Sequence, residues 1–277
     1  MEKLIFSEGN VIRTISPNEA MNREDATFPD EYWVAGRSAL DAIRAGLGAA
    51  GKSGSEIRRI LDLPCGHGRV LRYVKAAFPD AELTACDLLK DGVDFCASVL
   101  GAVPLYSHEN ADEIALKPGY YDLIWVGSLF THLDVKQWSA ILTRLAWSLR
   151  EGGVLVFSAH GENCYRRMKG LENPNSYGLP YWRVTKTLYS YERSGFGYAD
   201  YLGVSRYGIS ISHPTWVVST VSSQGSLRCV YFSERAWHGI QDVYACVKTH
   251  GRTATEAPIP FTVYAKHLLR EMWKPAT

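Results

Sequence analysis

Two features with chemical potential lie close together in the first half of the chain: a glycine turn and an acid. Residues 60–69 read ILDLPCGHGR, an apolar run entering a turn that holds Gly66 and Gly68. Without side chains at those positions a ligand approaches the backbone closely, and a following helix adds oriented N–H donors. Asp87 ends the next apolar run, 19 residues after Gly68. An acid there is placed to accept hydrogen bonds from both ribose hydroxyls of an adenosine-type ligand. Glycines alone mark a tight turn; their spacing to Asp87 marks a nucleoside cradle.

Two familiar nucleotide signatures fail on detail. A dinucleotide fingerprint read from Gly66 places Leu71 where a small residue must let helix and strand pack closely. Residues 46–53, GLGAAGKS, spell a phosphate loop, but a helical pattern precedes them and a strand pattern follows. A phosphate loop needs the reverse order. This stretch is therefore expected to be an ordinary loop.

The elements that must position the turn and the acid follow from periodicity. Residues 31–47 have helical spacing, with Trp33, Leu40, Ile43 and Leu47 on one face. Strands are expected at 59–63, 82–87, 103–106, 121–126 and 153–159, and helices at 68–78, 88–100 and 135–149. Near-continuous apolar strands alternating with helices imply an α/β fold with a parallel sheet covered on both faces. A hairpin is expected at the end, with strands at 227–232 and 242–247. Residues 177–216 hold ten aromatics in 40 positions, against 12% aromatic overall, so this stretch has a different task.

Bulk properties narrow the classes. Of 277 residues, 46% are hydrophobic and 21% charged, as in a soluble globule, and the formal net charge of +1 gives no footprint for nucleic acid. No leader pattern and no membrane-length apolar run are read. The six cysteines show neither zinc-knuckle nor disulfide spacing, which fits reduced thiols and a cytoplasmic protein. No metal site is expected.

Across residues 58–160 the chain resembles the class I S-adenosylmethionine-dependent methyltransferases. Residues 62–68 (DLPCGHG) are similar to that family's first motif, with Pro64 in place of its first glycine. Asp87 matches the ribose acid, and Asn110–Ala111 resembles the pair that contacts adenine. Residues 121–133 (YDLIWVGSLFTHL) resemble the fourth motif, and residues 150–156 the turn into strand five. The resemblance implies a Rossmann-like, mainly parallel seven-stranded sheet with an antiparallel final strand and an aromatic-rich insertion after strand five. It implies S-adenosyl-L-methionine as cofactor, held by Leu63, Pro64, Cys65, Gly66, Gly68, Asp87, Leu88, Asn110, Ala111, Val126, Gly127 and Ser128. Tyr32 and Arg37 sit on a helix expected to cover the cofactor, with Arg37 placed to pair with the methionine carboxylate. The implied organisation is an arm and covering helix (1–57), a cofactor-binding core (58–160), a substrate-binding insertion (161–215), and a C-terminal part of the sheet with a tail (216–277).

Methyl transfer from a sulfonium needs an aligned acceptor and, for a hydroxyl, removal of its proton. His132 and His160 follow strands four and five and are the candidate bases; capping, pocket support and orientation are the competing roles. Tyr177, Tyr198, Tyr207, His213 and Trp216 are the candidate substrate contacts, since aromatic faces with polar handles suit a small hydroxylated ligand. A small aromatic core under a lid is the alternative. Residues 195–201, 207–210, 214–217 and 241–243 resemble methyltransferases encoded with bacterial glycan-assembly enzymes. The expectation is O-methylation of a small-molecule or glycan hydroxyl. An RNA or protein methyltransferase and a non-catalytic cofactor-binding module are the alternatives. The oligomeric state is not legible.

Overall fold

The computed structural model describes residues 7–22, 30–170 and 177–250. The tail beyond residue 250 lies outside the described residues. The apolar runs form one sheet: β1 (Arg59–Asp62), β2 (Glu82–Asp87), β3 (Val103–Tyr106), β4 (Tyr121–Val126), β5 (Leu149–Ala159), β8 (Leu227–Trp237) and β9 (Gln241–Lys248). Their order is β3-β2-β1-β4-β5-β9-β8. The first five pair in parallel, and β9 runs antiparallel to both β5 and β8. The Rossmann-like expectation, with one reversed strand closing the sheet, is met.

Strand alternation explains the two-sided core. Successive side chains point to opposite faces. Ile60, Leu123 and Val154 pack with residues of α1 (Glu31–Ala49), α2 (Leu71–Ala77) and α3 (Lys90–Leu100). Leu61, Ile124 and Leu155 pack on the other side with Trp138, Leu142 and Leu145 of α4 (Val135–Ser148). That helix starts on a capping box, in which the Asp134 carboxylate accepts the Gln137 N–H at 2.8 Å. The strand order reverses between β1 and β4, so their C-terminal ends splay and open a crevice.

Two boundaries differ from expectation. The segment after Gly68 stays irregular until Leu71, where α2 begins. Strand β5 begins at Leu149, because Leu149 pairs with Tyr121 before the chain passes through Gly152 at φ 71°. The GLGAAGKS stretch is the last turn of α1 and a loop, with Gly46 packed against Val156 and Ala245. No phosphate cradle exists there.

Between β5 and β8 the chain builds α5 (Glu162–Gly170), α6 (Tyr181–Ser194), the hairpin β6 (Phe196–Asp200) and β7 (Gly208–Ser212), and α7 (Pro214–Ser223). This hairpin is a separate two-stranded sheet that the sequence reading did not anticipate. It docks on the main sheet through backbone bonds: Gly208 N–H to His132 O (3.1 Å), Ser210 N–H to Thr131 O (2.8 Å) and Ser212 N–H to His160 O (2.8 Å). No helix among the described residues is long and apolar enough to cross a membrane.

At the opposite end of the sheet, the buried Asp122 carboxylate accepts the N–H groups of Arg58 (2.7 Å) and Arg59 (2.8 Å) and pairs with Arg150. It fixes where β1 enters the sheet. Asp122→Ala orphans two backbone donors, so urea unfolding should show a loss of about 2–4 kcal/mol, with Asp122→Asn losing less.

Candidate active site

The loop between β1 and α2 is held from two sides. On one side the Asp87 carboxylate accepts the Gly66 N–H at 2.7 Å and the Leu89 N–H at 2.9 Å. On the other, buried Arg72 donates to the carbonyls of Gly68 (3.0 Å) and His67 (3.2 Å). Arg72 also donates to Ile12 and Thr14, each at 2.8 Å, which ties the N-terminal segment to the loop. Gly66 and Gly68 take φ of 50° and 80°, which explains why glycine stands at both. Helix α3 approaches so closely that a Cβ on Gly92 would lie 2.5 Å from Gly66 O.

Above this loop lies a cleft of about 850 Å³. It brings together Leu63, Pro64, Cys65, Gly66, Asp87, Leu88, Asn110, Ala111, Gly127, Ser128, His132 and Tyr207. These are the sequence-predicted positions that the fold gathers. The Leu63–Pro64 peptide is cis. Gly68 is not on the cleft wall; it faces Leu100 and Cys96 behind the loop. Val126 is a correction: it is fully buried in the core beside Ile124 and Leu155, because strand alternation turns it away from the cleft. The Asn110 side chain caps the next turn, accepting from Asp112 N–H at 3.2 Å and donating to Glu113 at 2.9 Å.

A second cavity of about 390 Å³ adjoins the first and shares Arg69, Ser128 and Trp237 with it. Tyr32 lines this cavity, its hydroxyl donating to Glu19 at 3.2 Å. Arg37 is a second correction. It pairs with Glu8 and Asp41 and lines neither cavity. Arg69 is the cation that lines both. Its guanidinium lies 5.9 Å from the Trp237 ring, and burial lowers its pKa. Asp62, the residue before the cleft lining begins, is 1% exposed, and neither carboxylate oxygen has a hydrogen-bond partner among the described residues. Burial pushes its pKa well above the usual range, Asp87 adds to this, and Arg69 opposes it.

Ser128 sits where the two cavities meet, at φ 62°, a backbone region that costs a non-glycine residue about 1–3 kcal/mol. A closed network holds it there. Its N–H donates to Ser158 Oγ at 2.9 Å, Ser158 donates to Gln241 Oε1 at 2.7 Å, and the Gln241 amide donates to Ser128 Oγ at 2.5 Å.

The two histidines separate clearly. His132 lines the cleft; its Nδ1–H donates to Gly208 O at 2.7 Å. Nε2 is then the unprotonated ring nitrogen, able to accept a proton. Tyr207 stacks on it at 4.8 Å and 24°. Burial lowers the His132 pKa. His160 is a correction. It is buried outside the cleft, bonds Ser210 O through Nδ1 at 3.2 Å, and its pKa is pushed down to about 4 by burial and then by His132. It fastens the β6–β7 hairpin to β5.

Most of the predicted aromatic contacts are corrections too. Tyr177 accepts from the Cys164 thiol at 3.5 Å, within the separate core of the insertion. Tyr198 donates to Asp200 at 2.6 Å. Trp216 packs on Phe196 and Trp138. His213 caps α7 through the Thr215 N–H. None of these four lines the cleft. Asp62, Arg69 and Gln241 are what the sequence reading missed as site residues. Asp62 stood inside the quoted motif and Gln241 inside a quoted similarity; nothing in the pattern marked Arg69.

Arg72 is the brace on which this loop rests. Arg72→Met should leave buried carbonyls without donors and lower unfolding stability in denaturant by at least about 3 kcal/mol, with a larger loss than Arg72→Lys.

Residues 60–153 match the family described as "Methyltransferase domain". The chain is 29% identical over 130 residues to a malonyl-[acyl-carrier protein] O-methyltransferase of Anoxybacillus flavithermus, covering 47% of this chain and 48% of that one. It is 27% identical over 113 residues to a fatty-acid O-methyltransferase of Mycolicibacterium smegmatis, covering 39% of each. The matched regions thus span less than half the length of these relatives. In fold it is similar to a Burkholderia thailandensis 1,6-didemethyltoxoflavin-N1-methyltransferase solved with S-adenosylhomocysteine, with a TM-score of 0.51, 14% identity, and coverage of 86% of this chain and 93% of that one. The sheet order, the glycine loop braced against an acid at the end of β2, and the matched segment agree: residues 60–153 are similar to a methyltransferase domain, and the sheet around them has the Rossmann-like fold of the methyltransferases it resembles.

Proposed function

We propose that the chain is an S-adenosylmethionine-dependent methyltransferase acting on an oxygen of a small molecule. One observation carries the cofactor half of this reading. The cleft offers an acid for a ribose at one end and the Arg69 guanidinium at the other, beside Asp62, a carboxyl buried just behind the cleft wall with no hydrogen-bond partner among the described residues. A dinucleotide or a triphosphate has no use for that second pair, whereas an adenosyl amino acid presents an ammonium and a carboxylate. The residues present therefore fit S-adenosylmethionine. Asp87 would accept from the ribose hydroxyls, Leu88 and Ala111 would flank adenine, and Asp62 and Arg69 would meet the amino-acid end.

When bound, S-adenosylmethionine supplies an electrophilic methyl group and a neutral thioether as leaving group. The chain's part is to align the acceptor, exclude water and take up a proton. His132 is equipped for the last task. Its tautomer is set by Gly208 O, its depressed pKa keeps it neutral around pH 7, and Tyr207 orients its ring. The hairpin that carries Tyr207 and Gly208 covers this side of the cleft.

A second reading concerns the acceptor oxygen. The names of the relatives point to acyl compounds, and a carboxylate acceptor is already an anion and needs no base. The same names lend a glycan acceptor no support. The pH profile decides. With a hydroxyl acceptor, kcat/KM falls as His132 becomes protonated, on a limb below the usual histidine value of about 6.5, and His132→Ala lowers the rate by about 10²–10⁴-fold. With a carboxylate acceptor that limb is absent and His132→Ala costs little.

Calorimetry with S-adenosylhomocysteine and 5′-methylthioadenosine tests the cofactor site. Asp87→Ala should weaken both by about 10- to 150-fold, the loss of one or more charge-assisted bonds. Arg69→Met should weaken only the ligand that has an amino-acid end. Asp62 supplies a sign. Its raised pKa means the free site holds a proton that an arriving ammonium displaces. Affinity for S-adenosylhomocysteine should rise with pH above the ordinary carboxyl range of about 4, and Asp62→Asn should flatten that rise. Equal affinity of wild type and Arg69→Met for both ligands would remove the amino-acid half of the assignment.

A further inference from the structure

We propose that Cys229 and Cys246 form a thiol–disulfide exchange site on the edge of the sheet, closing a cross-strand disulfide when a low-molecular-weight disulfide reaches it. The register places Cys229 of β8 directly opposite Cys246 of β9. Both side chains lie on the face that packs against α7, in the cluster with Leu227, Val217 and Tyr244. Residues directly opposite on antiparallel strands have Cα atoms about 4.5–5.5 Å apart, inside the roughly 4.4–6.8 Å range a disulfide needs. Their Cβ atoms need to close by only about 1 Å. Strand β8 is an edge strand, and its register slips between Cys229 and Tyr231, so the backbone has room for that adjustment.

The two thiols differ in the way exchange requires. Cys229 is half-buried, its thiol donating to Tyr231 O at 3.4 Å, whereas Cys246 is fully buried. The Cys246 thiol bonds to Cys229 and draws its pKa down to about 7, while Cys246 is itself pushed up. Cys229 is thus the attacking thiolate and Cys246 the resolving thiol. The Cys229 sulfur attacks one sulfur of oxidised glutathione, forming a mixed disulfide and expelling one glutathione thiolate. The Cys246 sulfur then attacks Cys229, the second glutathione leaves, and the Cys246 proton goes to a departing thiolate. The two protein thiols are oxidised, and one small disulfide is reduced to two thiols.

Cys65 and Cys96 provide the contrast. Both bond to Gly66 O, at 3.3 and 3.6 Å, both are buried, and the contact with Cys96 and then burial push the Cys65 thiol far up. Neither is the half-buried member that Cys229 is in the edge pair. Nothing in the proposed exchange touches the cleft, since the pair sits at the level of Leu155, away from the turn at Trp237 that lines it.

The test incubates the full chain with oxidised glutathione, blocks remaining thiols, digests with trypsin without reduction and reads masses. The expected result is loss of two hydrogens per chain and a cross-link between peptides 229–235 and 236–248, with Cys65, Cys86, Cys96 and Cys164 blocked as free thiols. Cys246→Ser should instead retain one glutathione on Cys229, and Cys229→Ser should show neither product at this pair. A wild-type chain in which both cysteines stay reduced, or in which glutathione remains on Cys229 despite an intact Cys246, overturns the proposal.

Discussion

The C-terminal ends of parallel strands leave backbone donors and acceptors that no neighbouring strand satisfies, and the site exists because two buried charged side chains take them up. Asp87 receives the N–H groups of Gly66 and Leu89. Arg72 gives its protons to the carbonyls of His67 and Gly68. The loop is gripped by an anion on its donor side and a cation on its acceptor side. Charge-assisted bonds of this kind are worth about 1.5–3 kcal/mol each, so the loop is held rigid before any ligand arrives. The same Asp87 that braces Gly66 faces the cleft, so loop geometry and recognition depend on a single carboxylate.

The rest of the molecule is arranged around that grip. Arg72 spans the loop and the carbonyls of Ile12 and Thr14, so the N-terminal segment is bonded to the loop it helps to cover. On the far side, the β6–β7 hairpin bonds to residues 131, 132 and 160 at the ends of β4 and β5. Those backbone bonds do more than attach the hairpin. They place Gly208 O against His132 Nδ1, which selects the tautomer with a free Nε2. The insertion thus acts on the chemistry through a carbonyl rather than mainly through its aromatic rings.

The sheet was legible from the sequence because burial on both faces writes an apolar run, and β2 and β4 begin and end where those runs do; β3 also matches its run, although it is an exposed edge strand. Strand β5 was read short because Arg150, Glu151 and two glycines look like a turn; they form the irregularity between Leu149 and Val154, both of which pair with β4. The cofactor loop was legible because glycines and an acid at fixed spacing have few other uses. The insertion was not. An abundance of tyrosine is compatible with a ligand surface or with a core whose hydroxyls bond internally, and composition cannot separate them. Tyr177, Tyr191 and Tyr198 found internal partners in Cys164, Glu162 and Asp200. Arg69 was invisible for a different reason: it follows the glycines directly, where an exposed arginine and a cleft-lining one read alike.

His132 and His160 illustrate why position along a strand does not settle chemistry. Both follow a strand end, and each bonds a carbonyl of β7 through Nδ1. What differs is the surroundings of the other nitrogen. His132 faces the cleft and Tyr207, whereas His160 is enclosed and further depressed by His132 itself. Two imidazoles in one low-dielectric region cannot both charge cheaply. Depressing the enclosed one to about 4 means that any proton taken up near neutral pH resides on the one that opens to the cleft. The buried histidine therefore serves the one that lines the cleft, by staying neutral beside it and by fixing the hairpin that sets its tautomer.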